Sequence, residues 1–207
     1  MREQTVLSPS EFQKGYQAFQ EREARDAMYK TASFLVNHFW GQPRDMADSL
    51  GILLLTWNQA FYRYGSFDFG CLEDTLKAHM DALEKLRQRG IQSFNTTDES
   101  VVRQLFTAFL DALCIKEGSK KGCKSPVAVA KALHLLAPAY FPLWDDKIAR
   151  AYGCHYKPHP EKKYIDFAYQ MRQLASELES SVPASSGRTF LKLIDEYNYA
   201  KYTKNWI

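Results

Sequence analysis

From Asp48 onward the apolar residues Leu50, Leu53, Leu54, Trp57, Phe61 and Tyr64 recur at spacings of three and four. That period puts them on one face of a helix, which Gly65 closes. Tyr62 and Arg63 stand off this stripe, where a ligand can reach them. The same period runs through Leu72, Leu76, Met80, Leu83 and Leu86 in the segment Cys71 to Arg89, ended by Gly90. Phe67-Asp68-Phe69 reads as a turn into that helix, with Asp68 as its cap. Thr97-Asp98 opens another helix, carrying Val102, Leu105, Phe106, Phe109 and Leu113 on one face. Ser125-Pro126 starts the next, since proline suits a first helical turn. Residues 9 to 39 hold one or two helices, and 161 to 179 and 187 to 201 one each.

No segment alternates as a strand would, and two polar breaks stand out, EGSKKGCK at 117–124 and SSVPASSG at 180–187. The pattern predicts one all-α domain over 1–207 with about eight or nine helices. A two-lobed form with a central cleft and a hairpin-like region over 116–153 fits the same pattern.

With 207 residues, 45% of them hydrophobic and 14% aromatic, the chain can bury a sizeable core. A net charge of +3 permits a polyanionic partner without demanding one. The longest apolar run, GILLLTW, is too short to span a bilayer, so no membrane partner is predicted. The opening MREQTVLSPSEF has no apolar leader core, and Cys71, Cys114, Cys123 and Cys154 form no C-x-x-C pair. Both features predict reduced thiols in a cytoplasmic protein. A P-loop, a dinucleotide fingerprint and a nucleophile elbow are absent from the sequence. Cys154, His155 and His159 offer only three ligands, interrupted by Pro158, so neither a metal nor a cofactor is predicted.

Candidate chemistry gathers between residues 116 and 153. Lys116, Lys120, Lys121 and Lys124 crowd a loop with Gly118 and Gly122, and the loop runs into a helix N-terminus. Exposed amides and lysines there suit phosphate, although a solvated loop looks the same. In the following helix, SPVAVAKALHLLAP, Val129, Ala132, Leu133 and Leu136 share the core face. Lys131 and His134 project together from the other side. Next comes AYFPLWDDKIARAYG, in which Pro142 makes a turn and Asp145 or Asp146 caps a helix that Gly153 ends.

A lysine-bearing helix, a short proline-containing link and an aspartate heading the pattern D-x-x-(I/V)-x-R resemble the helix-hairpin-helix DNA glycosylases. Across roughly residues 101 to 155, A-K-A-L-H-L-L-A-P-A-Y-F-P-L-W-D looks like bacterial proteins with an oxoguanine-glycosylase-like fold. The family hairpin reads close to L-P-G-V-G-x-K, and here the chain reads GSKKGCKSP. The family lysine therefore matches either Lys124, at the hairpin's end, or Lys131, ahead of A-L-H-L-L.

The resemblance implies a DNA partner and cleavage of an N-glycosidic bond on a flipped base. In it Asp145 is the carboxylate that stabilises charge growing on the sugar. Lys131 or Lys124 is the nucleophile that forms a Schiff base. Trp144, Phe141, His134 and Asp146 wall the pocket, while Lys120, Lys121, Lys147 and Arg150 meet the backbone phosphates. Two rivals remain: a DNA- or nucleotide-binding protein on the same fold without catalysis, and a protein-interaction domain. In the C-terminal FLKLIDEYNYAKYTKNWI, aromatics alternate with Lys192, Lys201 and Lys204, which predicts a docked helix with its lysines in water.

Overall fold

The computed structural model describes residues 7–23, 25–178 and 188–207, and these are helical without a strand. Ten α-helices follow in order: α1 (Pro9–Glu23), α2 (Ala27–His38), α3 (Pro43–Trp57), α4 (Gln59–Tyr62), α5 (Phe69–Arg87), α6 (Glu99–Ala112), α7 (Pro126–Leu136), α8 (Asp146–Ala151), α9 (Pro160–Leu178) and α10 (Phe190–Asn198). A π-helical turn, Tyr199–Thr203, extends α10. None of these helices is long and apolar enough to cross a membrane. The polar break at 180–187 lies outside the described residues.

Asn58 accounts for the tenth helix. Its backbone N–H ends α3 on the Leu54 carbonyl, and its own carbonyl accepts from Phe61 and Tyr62 to restart the chain as α4. The restart changes the helical phase. Tyr62, expected off the stripe and accessible, turns inward to 7% exposure and donates its hydroxyl to the Leu113 carbonyl at 3.0 Å. Tyr64, expected in the core, turns outward to 58% exposure. The stripe that seemed to continue from Leu50 to Tyr64 is two helices in different registers.

Most other signals sit where the sequence puts them. Asp68 accepts from the Gly70 and Cys71 amides at the head of α5. Before α6 the cap falls earlier than the expected Thr97-Asp98: Asn95 and Asp98 form a capping box on a 3-10 turn, Thr96–Asp98, and Asp98 makes no side-chain cap to α6 itself. Ser125 accepts from the Ala128 amide at 3.2 Å and opens α7. A single hydrophobic core draws buried side chains from every helix.

Between α6 and α7 the chain makes a tight hairpin, closed by Ile115 N–H to Cys123 O at 3.0 Å and Gly122 N–H to Ile115 O at 2.8 Å. It lies against the end of α4, where Lys116 donates to Ser66 O and Ser119 donates to Tyr64 O. A Cβ on Gly118, at φ +89°, would come within 2.0 Å of the Tyr64 carbonyl oxygen. Only glycine allows that approach.

Helix α7 is buried along most of its length. Its expected face, with Val129, Ala132, Leu133 and Leu136, is buried as predicted. The opposite face, carrying Lys131 and His134, packs against α2 and α3 rather than facing water.

Candidate functional site

The link from α7 to α8 is buried yet irregular, so its carbonyls need partners. Arg87 donates to Leu136 O, Thr189 to Pro138 O, the Ile91 amide to Ala139 O and Tyr164 to Pro142 O. The Phe141 carbonyl meets His134 Nδ1 at 2.7 Å. A carbonyl only accepts, so Nδ1 carries the imidazole proton and Nε2 accepts from the Tyr29 hydroxyl at 3.1 Å. His134 is wholly buried, and that burial pushes its pKa down to about 3. It is a neutral strut that fixes the link, and Phe141 and Trp144 are buried with it at 1% exposure each.

The strutted link delivers Asp145 to the head of α8. One carboxylate oxygen accepts from the Ile148 amide at 2.7 Å, and the other accepts from the Thr203 hydroxyl at 2.8 Å. Lys147 donates to the Thr203 carbonyl at 2.8 Å, so the turn after α10 is strapped across this corner. Of the two acids, Asp145 is therefore the cap. Asp146 points outward to Arg150, Tyr156 and His155. Arg150 above all, with Tyr156 and His155, holds the Asp146 carboxyl down to about 2.

The two lysines matched to the family nucleophile differ in setting. Lys124 is exposed and paired with Asp111, and that hydrogen bond raises its pKa. Lys131 is partly buried, with its Nζ donating to Trp57 O at 3.1 Å and to Asn58 Oδ1 at 2.8 Å. The nitrogen also lies 4.4 Å from the centre of the Trp57 ring. Burial depresses its pKa to about 8, against the upward pull of the Asp195 and Asp145 charges. Its proton is thus held less tightly than an ordinary lysine's, although the amine still rests protonated at neutral pH. Lys121 is exposed, and Lys120 leans over Phe61 and Tyr64 at 5.9 and 5.8 Å. The structure brings Lys131 and Asp145 into one electrostatic neighbourhood and leaves Lys124, Asp146 and Arg150 outside it.

Several participants were not singled out from sequence. Lys192, expected in water, is 2% exposed and sits 4.5 Å from the centre of the Tyr29 ring. The Tyr29 and Trp57 rings meet edge to face at 6.3 Å, so the two lysines ride on neighbouring aromatics. Lys192 faces Asp26 at 3.3 Å, Asp195 at 3.4 Å and Glu196 at 3.8 Å. Burial opposes its charge, but Asp195, Asp26 and Glu196 together hold its pKa above the ordinary value. One ammonium cannot neutralise three acids, so burial still raises Asp195, and raises Glu196 to about 7 despite Arg188 and Gln20. Asn58 was hidden inside an apparently continuous apolar stripe. The one available signal was an asparagine, a residue that competes with helical hydrogen bonding, in mid-helix.

No protein-family model, curated protein or solved structure matches this chain.

Proposed function

We propose that the chain acts on DNA as an N-glycosylase with lyase activity, using Lys131 as nucleophile and Asp145 as the carboxylate facing the sugar. The observation that carries this reading is the hydrogen bonding of the Lys131 amine. A neutral amine has two N–H groups and a lone pair, and Trp57 O and Asn58 Oδ1 accept both N–H groups. The lone pair is then the amine's remaining valence, which suits attack on carbon. The order helix, hairpin, lysine-bearing helix, link and Asp145 adds support. So does the exposed lysine-rich hairpin, which suits a phosphate backbone along with Lys120, Lys121, Lys147 and Arg150.

In this reaction the Lys131 nitrogen bonds to the anomeric carbon as the glycosidic bond breaks, and the base leaves with that electron pair. The nitrogen gives one proton to the departing base; its lone pair then forms the C=N bond as the C1′–O4′ bond breaks, and the ring oxygen takes the second nitrogen proton, leaving a Schiff base. Asp145 offsets the positive charge that develops on the sugar.

Borohydride reduction of the protein on oligonucleotides carrying uracil, oxidised guanine or an abasic site tests the reading. A covalent adduct is expected with wild type and with Lys124→Gln, and it is lost in Lys131→Gln. Asp145→Asn is expected to slow base release at least about 100-fold. An adduct that survives Lys131→Gln would move the nucleophile elsewhere. DNA binding with no adduct and no base release favours a non-catalytic binder.

A further inference from the structure

Asn58 is an unusual residue to find beside a reactive amine. It is 9% exposed, and among the described residues its Nδ2 has no hydrogen-bond partner. A buried amide N–H2 without an acceptor is costly, and native structures rarely leave one so. The orientation of the amide is fixed by chemistry. At neutral pH the Lys131 amine rests protonated and in that form only donates, so the atom facing it at 2.8 Å is the oxygen, and the unpartnered atom is the nitrogen. Backbone hydrogen bonds pin Asn58 on both sides, from its N–H to Leu54 and from its carbonyl to Phe61 and Tyr62. The donor is therefore rigid as well as unused. The indole N–H of Trp144 also has no partner, but Phe106, Tyr156, Tyr164 and Phe167 enclose it. Asn58 instead adjoins the partly exposed Trp57 and Lys131.

We infer that the Asn58 amide selects a base with a carbonyl next to its glycosidic atom, and that its N–H stabilises that oxygen as the base departs. This rests on the reading of Lys131 as the nucleophile. If the Lys131 nitrogen bonds to the anomeric carbon, an amide already hydrogen-bonded to that nitrogen is one residue's reach from the same carbon. The base atoms nearest the anomeric carbon are those flanking the glycosidic nitrogen. In a pyrimidine one of these positions is the C2 carbonyl, and in an 8-oxopurine it is the C8 carbonyl. The departing base carries the glycosidic electron pair, and part of that negative charge falls on the flanking oxygen. A fixed N–H aimed there gains strength as the bond breaks, which lowers the barrier. Unmodified purines have a C–H at C8 and give the Asn58 donor nothing at that position.

Binding can be measured without any cleavage. Two duplexes are compared, one carrying deoxypseudouridine, whose C4 carbonyl flanks the glycosidic carbon, and one carrying its difluorophenyl isostere. Both are joined to the sugar by carbon and resist cleavage, and their shapes match. The wild type is expected to bind the pseudouridine duplex about tenfold tighter by fluorescence anisotropy. Asn58→Asp keeps an oxygen for Lys131 but has no N–H to offer, so the preference is expected to vanish. Asn58→Ala serves where the aspartate variant does not fold, with the same expectation. Equal affinities in the wild type, or a preference that persists in a folded variant, overturn the assignment of Asn58 alone. Failure to bind any duplex at low salt overturns the DNA reading and this inference with it.

Discussion

Lodging an imidazole in a fully buried site requires that it stay neutral, and His134 is held so by two partners of fixed role. The consequence is a dependence of stability on pH. In the unfolded chain His134 titrates near ~6.5, whereas burial in the folded chain lowers that to about 3. Below the unfolded value the unfolded state binds the extra proton, so this contribution to stability falls as pH drops from there towards the folded value. At pH ~5 the loss amounts to about 2 kcal/mol. Replacing His134→Gln forfeits packing at every pH but removes this slope. In urea unfolding the gap between wild type and variant is expected to narrow by that amount between pH ~7 and ~5; a constant gap would show that the imidazole is not kept neutral. Sequence alone placed His134 and Lys131 on one side of a helix and left open whether that side meets solvent or a cleft. Helical phase tells which side chains share a side, not whether that side meets solvent or a second layer of helices. Lys131 was visible for the same reason, as a lysine amid Val, Ala and Leu, and its partners Asn58 and Trp57 were not, because they come from a helix end 73 and 74 residues away.

The helices themselves were legible wherever caps and apolar period agree, as at Asp68, Ser125 and Asp145. They were illegible at Asn58, where the spacing of apolar residues stayed helical while the backbone did not. The hairpin shows the same division. Its lysines and glycines announced a loop, but not that the loop clasps the end of α4. That clasp depends on Gly118, whose φ of +89° and contact with Tyr64 leave no room for a Cβ. Gly118→Ala is expected to cost about 1–3 kcal/mol through the strained backbone and the displaced carbonyl. The loss should be local first. The Ser119 and Lys116 amides, which donate to Tyr64 O and Ser66 O, are expected to exchange with solvent deuterium far faster in the variant, while amides inside α7 keep their protection. Uniformly accelerated exchange would mean that the hairpin is part of the global folding unit.

Across the whole molecule, the first and last helices close on one another. Phe12 of α1 packs against Phe190 and Tyr197 of α10, and Lys192 of α10 reaches back to Asp26 before α2. The buried charges at this seam are a poor source of net stability, because desolvation offsets most of the attraction between them. Their balance nevertheless decides whether the seam closes. Lys192 is the cation shared by Asp26, Asp195 and Glu196, and removing it leaves carboxylates in an apolar site. Lys192→Met is expected to destabilise the fold by about 3–5 kcal/mol at neutral pH. The sign of the pH effect follows from the same charges. Without the ammonium the folded-state pKa values of Asp195 and Glu196 rise further above their unfolded values, so the folded variant takes up protons that the unfolded chain still lacks. Its deficit should therefore shrink as pH falls from ~7 towards ~5, the opposite of what the buried His134 imposes on the wild type. Thermal melts of wild type, Lys192→Met and Lys192→Met with Asp195→Asn across that range separate the two effects. If the single variant's deficit stays the same at every pH and the double variant recovers nothing, the lysine stabilises by packing over Tyr29 and Phe19 and not by its charge.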